Sequence, residues 1–382
     1  VTKLARTAFL GMAEESSIGT YVAPTFSVPF TKASYETIQL PIRDESIRGN
    51  DAVLQGVYPG PSESTWDVET LGYTDIAGYW LRMIGTDTVV AATSTTLSSS
   101  SSINATSIST VASIASGSTI KIDTGANIEY ATTGTPSGVG PYTIPIATPA
   151  AGLTKAHSSG VTVITTTKHT FAQVTATRPP SFSITVYDGI DYRGWTGCMM
   201  SELGIKIDPK AAITFNPKFV GYPEATQSSF SSSFSTVQPL LGWNWTMTDA
   251  GGSSTRGLTL DLTAKRASEA IHSSDGLQSP RETFSGALEL DGSYKAIYED
   301  STTDMGLFLN WTQTPIVATL TKAIAYGGES IVITMSQGAV QKAVRDLSQK
   351  YVEATYDLSA IYNSTDAGIT KVVLNNFTTS AY

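Results

Sequence analysis

Residues 56–85 read GVYPGPSESTWDVETLGYTDIAGYWLRMIG, and the rest of the chain repeats their order. A polar loop rich in Gly and Pro (Gly56 to Ser64) leads into the short alternating run Trp66-Asp67-Val68-Glu69. A helical pattern follows from Thr74 to Ile84 and stops at Gly85. Thr74 reads as its N-cap, with Asp75 in the first turn. Ile76, Tyr79, Trp80 and Met83 form its apolar stripe, and Gly85 reads as the residue that closes it. The same order returns later. A polar loop (His272 to Arg281) leads into Phe284 to Leu290, where Leu288 and Leu290 flank Glu289. A second helical pattern is expected over Ser293 to Asp300. Pro180 to Val186 corresponds to Pro315 to Leu320, and Met200 to Gly221 to Val340 to Asn363. The reading is one small β domain used twice, as in ring-building chains. The first copy covers 1–87 and 168–222, the second 223–382.

The strands are plain elsewhere. Leu258, Leu260 and Leu262 alternate with Thr259, Asp261 and Thr263. Leu203, Ile205 and Ile207 alternate with Gly204, Lys206 and Asp208, and Val352 to Leu358 alternates in the same way. Each has one apolar and one wet face, as antiparallel sheets over a core require. The fold class is therefore all-β: antiparallel sandwich or barrel domains, each with one short helix. Between residues 88 and 167 the charge nearly vanishes, with only Lys121, Asp123, Glu129 and Lys155 left. That stretch opens on the low-complexity run Ser98 to Ser102, then turns strand-like at Ile120 and Ile122 and again at Val161 and Val163. It reads as a Ser/Thr-rich small β domain of some 80 residues, set into an exposed loop of the first copy.

The chain of 382 residues carries a net charge of −9. A protein built to grip nucleic acid concentrates Lys and Arg instead. Cys198 is the lone cysteine, so no disulfide framework or Cys-rich zinc site is expected. Residues 1–12 hold no apolar signal core, and no apolar run approaches the ~20 residues of a membrane span. His157, His169 and His272 stand outside metal-ligand spacing of one another. A Cys198–His169 dyad lacks any surrounding nucleophile signature. The pairs Asp188/Asp191 and Asp300/Asp304 read as turn chemistry before they read as catalytic carboxylates. No catalytic, cofactor or metal residues are assigned.

Several short motifs, taken in order, resemble the major tail tube proteins of long-tailed actinobacterial phages. They are Arg48-Gly49, the strand Ser64 to Leu71, the helix segment Tyr79 to Gly85, His169-Thr170-Phe171, Pro180-Ser181-Phe182, Gly197-Cys198 and the closing Val373-Leu374-Asn375-Asn376. The resemblance covers the chain apart from the insert. In the insert, Asp123, Glu129 and Ala156-His157 resemble small β domains carried on the outside of some such tubes. The resemblance implies a non-enzymatic virion protein without cofactors, assembled in the host cytoplasm. Its subunits would join sheets around a ring, stack into a tail tube and pass DNA through the lumen without holding it. Its partners would be further copies of itself, the tape measure protein, the tail terminator and distal tail proteins. Two domains per chain imply a trimeric ring with pseudo-sixfold symmetry; the other arrangement is a homohexamer. The other readings of function are a β-rich surface adhesin and a carbohydrate-active enzyme. Two loops, Ile42 to Ser62 and Lys265 to Pro280, are expected to order on assembly. Their charges, Arg43, Asp44, Glu45, Arg48 and Asp51 in the first and Lys265, Arg266, Glu269, His272 and Asp275 in the second, are the candidate ring-to-ring contacts.

Overall fold

The computed structural model describes residues 4–173, 178–249, 252–254, 256–299 and 304–382. The chain opens with β1 (Phe9–Glu14), β2 (Phe26–Val28), β3 (Phe30–Gln39), the ribbon strands β4 (Ile42–Asp44) and β5 (Gly56–Tyr58), and β6 (Ser62–Leu71). Helix α1 (Thr74–Leu81) and β7 (Thr86–Val90) follow. A separate six-stranded sheet holds β8 (Ser94–Thr96), β9 (Ser107–Thr110), β10 (Thr119–Ile122), β11 (Glu129–Thr133), β12 (Tyr142–Thr148) and β13 (Thr162–Thr165). The main body resumes with β14 (Thr167–Ala172), β15 (Ser181–Tyr187), β16 (Tyr192–Ile207), β17 (Thr214–Gly221) and β18 (Ala225–Thr226). Then come β19 (Trp245–Asp249), β20 (Gly252–Ser254), β21 (Gly257–Arg266), the ribbon strands β22 (Glu269–Ile271) and β23 (Glu282–Phe284), and β24 (Leu288–Ile297). Helix α2 (Asp304–Leu309), β25 (Thr314–Thr321), β26 (Ser330–Asp346), β27 (Glu353–Ala360) and β28 (Thr370–Asn376) complete the chain. The fold is all-β with two short helices.

The two long strands organise it. The first half of β16 pairs β15 and β18, and its second half pairs β17 and β21. The first half of β26 pairs β25 and β28, and its second half pairs β27. The second halves thereby join one antiparallel sheet of eight strands, in the order β3-β6-β17-β16-β21-β24-β27-β26. Trp66 on this sheet meets Trp195 edge-on, and Phe219 meets Phe182, so the first halves and β15 lie over its apolar face. Farther along, Leu262, Leu358, Ile316 and Met335 close the same core.

Two successions of strands share one pairing scheme and one set of register slips. β3 and β6 slip between Phe30 and Lys32; β21 and β24 slip between Gly257 and Thr259. β15 and β16 slip between Phe182 and Ile184; β25 and β26 slip between Thr314 and Ile316. β16 and β17 slip between Met200 and Glu202; β26 and β27 slip between Val340 and Lys342. A bulge bends and twists its strand at one place. Matched bulges at three places therefore fix which residues of the two successions correspond.

Several expectations need correction. Ser293 to Ile297 is strand, not helix. Ladders to β21 and β27 satisfy that backbone on both sides, and the helix begins at Asp304. Asp300 lies outside the described residues. The cap position of α1 is Tyr73, and Thr74 turns inward instead. Its hydroxyl donates to Glu329 (2.6 Å), which also ion-pairs with the buried Lys322. Gly85 is required by close approach, not by a left-handed turn: a Cβ there would sit 1.8 Å from the Ala172 carbonyl oxygen. The strand matching Pro180 to Val186 is shifted, because Phe182 and Ile184 stand where Thr314 and Ile316 stand. Residues 223–240 pack on the first body: Phe230 meets Phe9 edge-on, and the Ser235 hydroxyl donates to Asp75 (2.9 Å). Within 88–167, Thr88 to Val90 and Thr167 belong to main-body strands. The small sheet, from Ser94 to Thr165, has its own core around Ile120, Ile122, Ile144 and Val163.

Candidate assembly surfaces

The charged residues of the first loop stay together at its base. The β4–β5 ribbon holds Arg43 and Glu45 3.3 Å apart, and pairs Arg48 with Asp44. Asp44 also accepts from the Ser46 hydroxyl (2.6 Å) and N–H (3.0 Å), which holds its carboxyl below the usual range. Asp51 is exposed nearby. Around them Ile42, Ile47, Val53, Val57 and Tyr58 are all exposed. Exposed apolar side chains set among charges in this way are common where a surface meets another protein.

The second loop differs. Lys265 and Arg266 belong to strand β21, so they are not loop residues at all. Arg266 points inward and clamps three backbone carbonyls: Met83 (2.7 Å), Gly286 (2.9 Å) and Ile84 (3.2 Å). Two of these lie just past the C-terminal end of α1, where a cation is favoured,. Desolvation lowers the Arg266 pKa from its ordinary value. His272 lies 3.5 Å from Glu63 at the start of β6. Asp275 accepts from Leu277 N–H (3.0 Å) and Ser273 Oγ (2.9 Å), which lowers its pKa, and Glu269 stays exposed. The loop is laid along the first body. Thr283 Oγ1 donates to Gly197 O (2.7 Å), Tyr222 Oη to Arg281 O (2.8 Å), and Ser62 N to Gln278 O (2.8 Å).

The two outer strands of the eight-stranded sheet are open on one side. Among the described residues, β3 pairs only β6, and the second half of β26 pairs only β27. Sequence reading did not single them out, yet their exposure is distinctive. Tyr35 on β3 is 40% exposed, whereas Leu262, its counterpart on β21, is 3% exposed. Leu347, just past β26, is 76% exposed, whereas its counterpart Ile207 is fully buried. Open edges carrying apolar side chains invite pairing with another strand.

The wet face of this sheet is acidic. β3, β16, β21 and β26 each place one lysine and one carboxylate on it: Lys32 with Glu36, Lys206 with Glu202, Lys265 with Asp261, and Lys342 with Asp346. The surplus comes from the strands between them. β6 adds Glu63, Asp67 and Glu69; β24 adds Glu289 and Asp291 against Lys295; β27 adds Glu353 and Asp357; β17 adds Lys218.

The groups weighed for chemistry are taken up by structure. Both ring nitrogens of His169 are engaged, by Asp87 (2.8 Å) and the Thr378 carbonyl (3.0 Å), so neither serves Cys198. Burial pushes the Cys198 thiol well above its ordinary pKa. Asp188 accepts from the N–H groups of Ile190 and Asp191, a turn role. In the small domain His157 sits between Glu129 (3.0 Å) and Asp123 (3.3 Å). Among the described residues no cluster of three His, Cys, Asp or Glu side chains is arranged to hold a metal.

Compared with known proteins, the chain matches the family model described as phage tail tube protein over residues 5–360. No curated protein matches it.

Proposed function

Because the chain belongs to the phage tail tube protein family, and is thus a structural component of a virion tail, we propose that three copies close into a ring and that stacked rings form the DNA conduit. The observation that carries this reading is the eight-stranded sheet. Half its strands come from each of two successions with matching register slips, and it ends in two open edges. Each chain thereby supplies two tube domains, and three chains supply six. Eight strands from each of three chains make a wall of twenty-four. At about 4.8 Å between strands the wall is roughly 115 Å round, or about 37 Å across before strand tilt widens it. That leaves room for a DNA duplex once side chains line it.

The wet face of the sheet is the lumen in this arrangement. Its surplus of carboxylates keeps a phosphate backbone from sticking, since retention is electrostatic. The small domain, on the β7–β14 neck, projects from the outer wall. The tape measure protein would occupy the lumen before DNA does, with the tail terminator and distal tail proteins at the two ends. Cytoplasmic assembly in the host follows from the same reading. Electron microscopy of the purified chain tests it: rings or tubes with three chains per ring support the proposal, and six chains per ring refute it. Duplex retention at physiological salt would refute the lumen assignment.

A further inference from the structure

We infer that the open edge of β26 on one chain pairs with the open edge of β3 on a second copy, in the register that β16 and β21 use within one chain. This deepens the ring reading, on which it rests for the identity of the partner, while its register comes from the internal joint alone.

The joint inside the chain runs antiparallel from Glu202 opposite Lys265 to Ile207 opposite Leu260. Its two strands have counterparts at the open edges. Gly204 lies two residues beyond the slip ending at Glu202, and Val344 lies two beyond the slip ending at Lys342. Thr263 lies four beyond the slip ending at Thr259, and Glu36 four beyond the slip ending at Lys32. Gly204 is opposite Thr263. Val344 is therefore placed opposite Glu36 of the next copy, with Lys342 opposite Ile38 and Leu347 opposite Ala33.

Three further observations fit this partner. Among the described residues, neither strand has a partner on the side the joint needs. Tyr35 and Leu347, exposed here, take positions whose counterparts in the internal joint are buried. On the wet face Glu36 falls diagonal to Lys342 and to Asp346, and Asp346 falls diagonal to Lys32, so two opposite-charge diagonals stand against one like-charge diagonal. The β4–β5 loop then comes to the second body of the next chain as the β22–β23 loop comes to the first body here. Gln337, five residues before Lys342, stands where Gly197, five before Glu202, accepts from Thr283. Ile47, Val53 and Tyr58, bare in one chain, gain a surface to cover them.

Paired cysteines test the register, since a disulfide needs Cα atoms within about 7 Å. The double variant Glu36→Cys/Val344→Cys is oxidised after assembly and run on non-reducing gels. Cys198 is fully buried and stays out of the exchange. Gly204→Cys/Thr263→Cys is the internal control; a Cβ at Gly204 meets nothing nearer than 3.5 Å, so it is tolerated. That control should cross-link within one chain and give no species above one chain mass. Glu36→Cys/Asp346→Cys is out of register. The expected result is covalent two- and three-chain species from Glu36→Cys/Val344→Cys, with at least a tenfold lower yield from the out-of-register pair. Should either parent cysteine prevent folding, judged by the melting curve of the reduced protein, Ala33→Cys/Leu347→Cys reads the same register. Rings by microscopy without in-register cross-links overturn the joint and leave the tube reading standing. In-register cross-links in a ladder that runs past three chains uphold the joint and overturn the three-chain ring.

Discussion

Arg266 fastens the second body to the first, and removing its guanidinium measures that fastening. Arg266→Met keeps most of the stem volume and deletes the three donations to Met83, Ile84 and Gly286. Hydrogen bonds to a charged group contribute about 1.5–3 kcal/mol each, and a buried carbonyl left bare costs about 1–3 kcal/mol. The desolvation that lowers the Arg266 pKa offsets part of this gain in the parent,. The net loss is then about 3 kcal/mol. At roughly 2–4 °C per kcal/mol for a domain of this size, the main melting transition should fall by about 6–12 °C. Arg266→Lys keeps the charge but not the planar fork, so it should recover less than half of the drop. Circular dichroism melts on the unassembled chain supply the assay. A melting point for Arg266→Met within about 2 °C of the parent would refute the clamp, because three partly buried acceptors should not lose a charged donor that cheaply,.

Other perturbations reach other parts of the molecule. Tyr382 lies over Gly78, where an added Cβ would be 2.3 Å from the ring, and its hydroxyl receives Asn376 Nδ2 (2.6 Å); Tyr382→Ala should destabilise by about 4 kcal/mol, read from urea midpoints. Residues 92–166, replaced by a short Gly/Ser linker, should be dispensable to the main body, because Val90 and Lys168 are already opposite each other on β7 and β14,; loss of soluble, cooperatively melting protein would contradict this. The small domain should be acid-labile. Burial raises the Glu129 pKa, but hydrogen bonds from Thr154, His157 and Lys155 outweigh it and leave the value below 4.5; the Thr124 N–H and His157 hold Asp123 below 3.8. A carboxylate depressed in the folded state adds stability above its unfolded value, which is lost as pH falls through the folded one. Protection of its amides from hydrogen exchange should therefore drop below about pH 4, and Glu129→Gln should remove most of that dependence.

The sequence made some of this legible and hid the rest for identifiable reasons. Leu258 to Leu262, Leu203 to Ile207 and Val352 to Leu358 alternate because one face of each strand is dry, and a period of two survives any context. The eight residues from Ser293 to Asp300 carry no such protection. Tyr294 and Ala296 are buried in the strand, but their spacing also suits a short helix, and only the ladders to β21 and β27 decide. Arg266 looked like a loop charge because nothing near it in sequence marks a cation aimed at the end of α1, more than 180 residues away. Tyr35 and Leu347 stayed unremarked for a related reason: an open edge is a property of what fails to pair, and pairing is long-range. The register slips were also invisible, since a bulge adds a residue without changing composition.

The internal joint between β16 and β21 has a kinetic consequence. Its two strands are tethered, so they meet at an effective concentration set by the chain between them, independent of how much protein is present. The proposed meeting of β26 with β3 would need a second molecule and run at a rate set by dilution. One geometry is thus unimolecular on one side of the chain and bimolecular on the other. A newly folded chain would finish its first seam unaided and wait for company to make its second, so the proposed second seam would form at a rate that rises with the concentration of the chain.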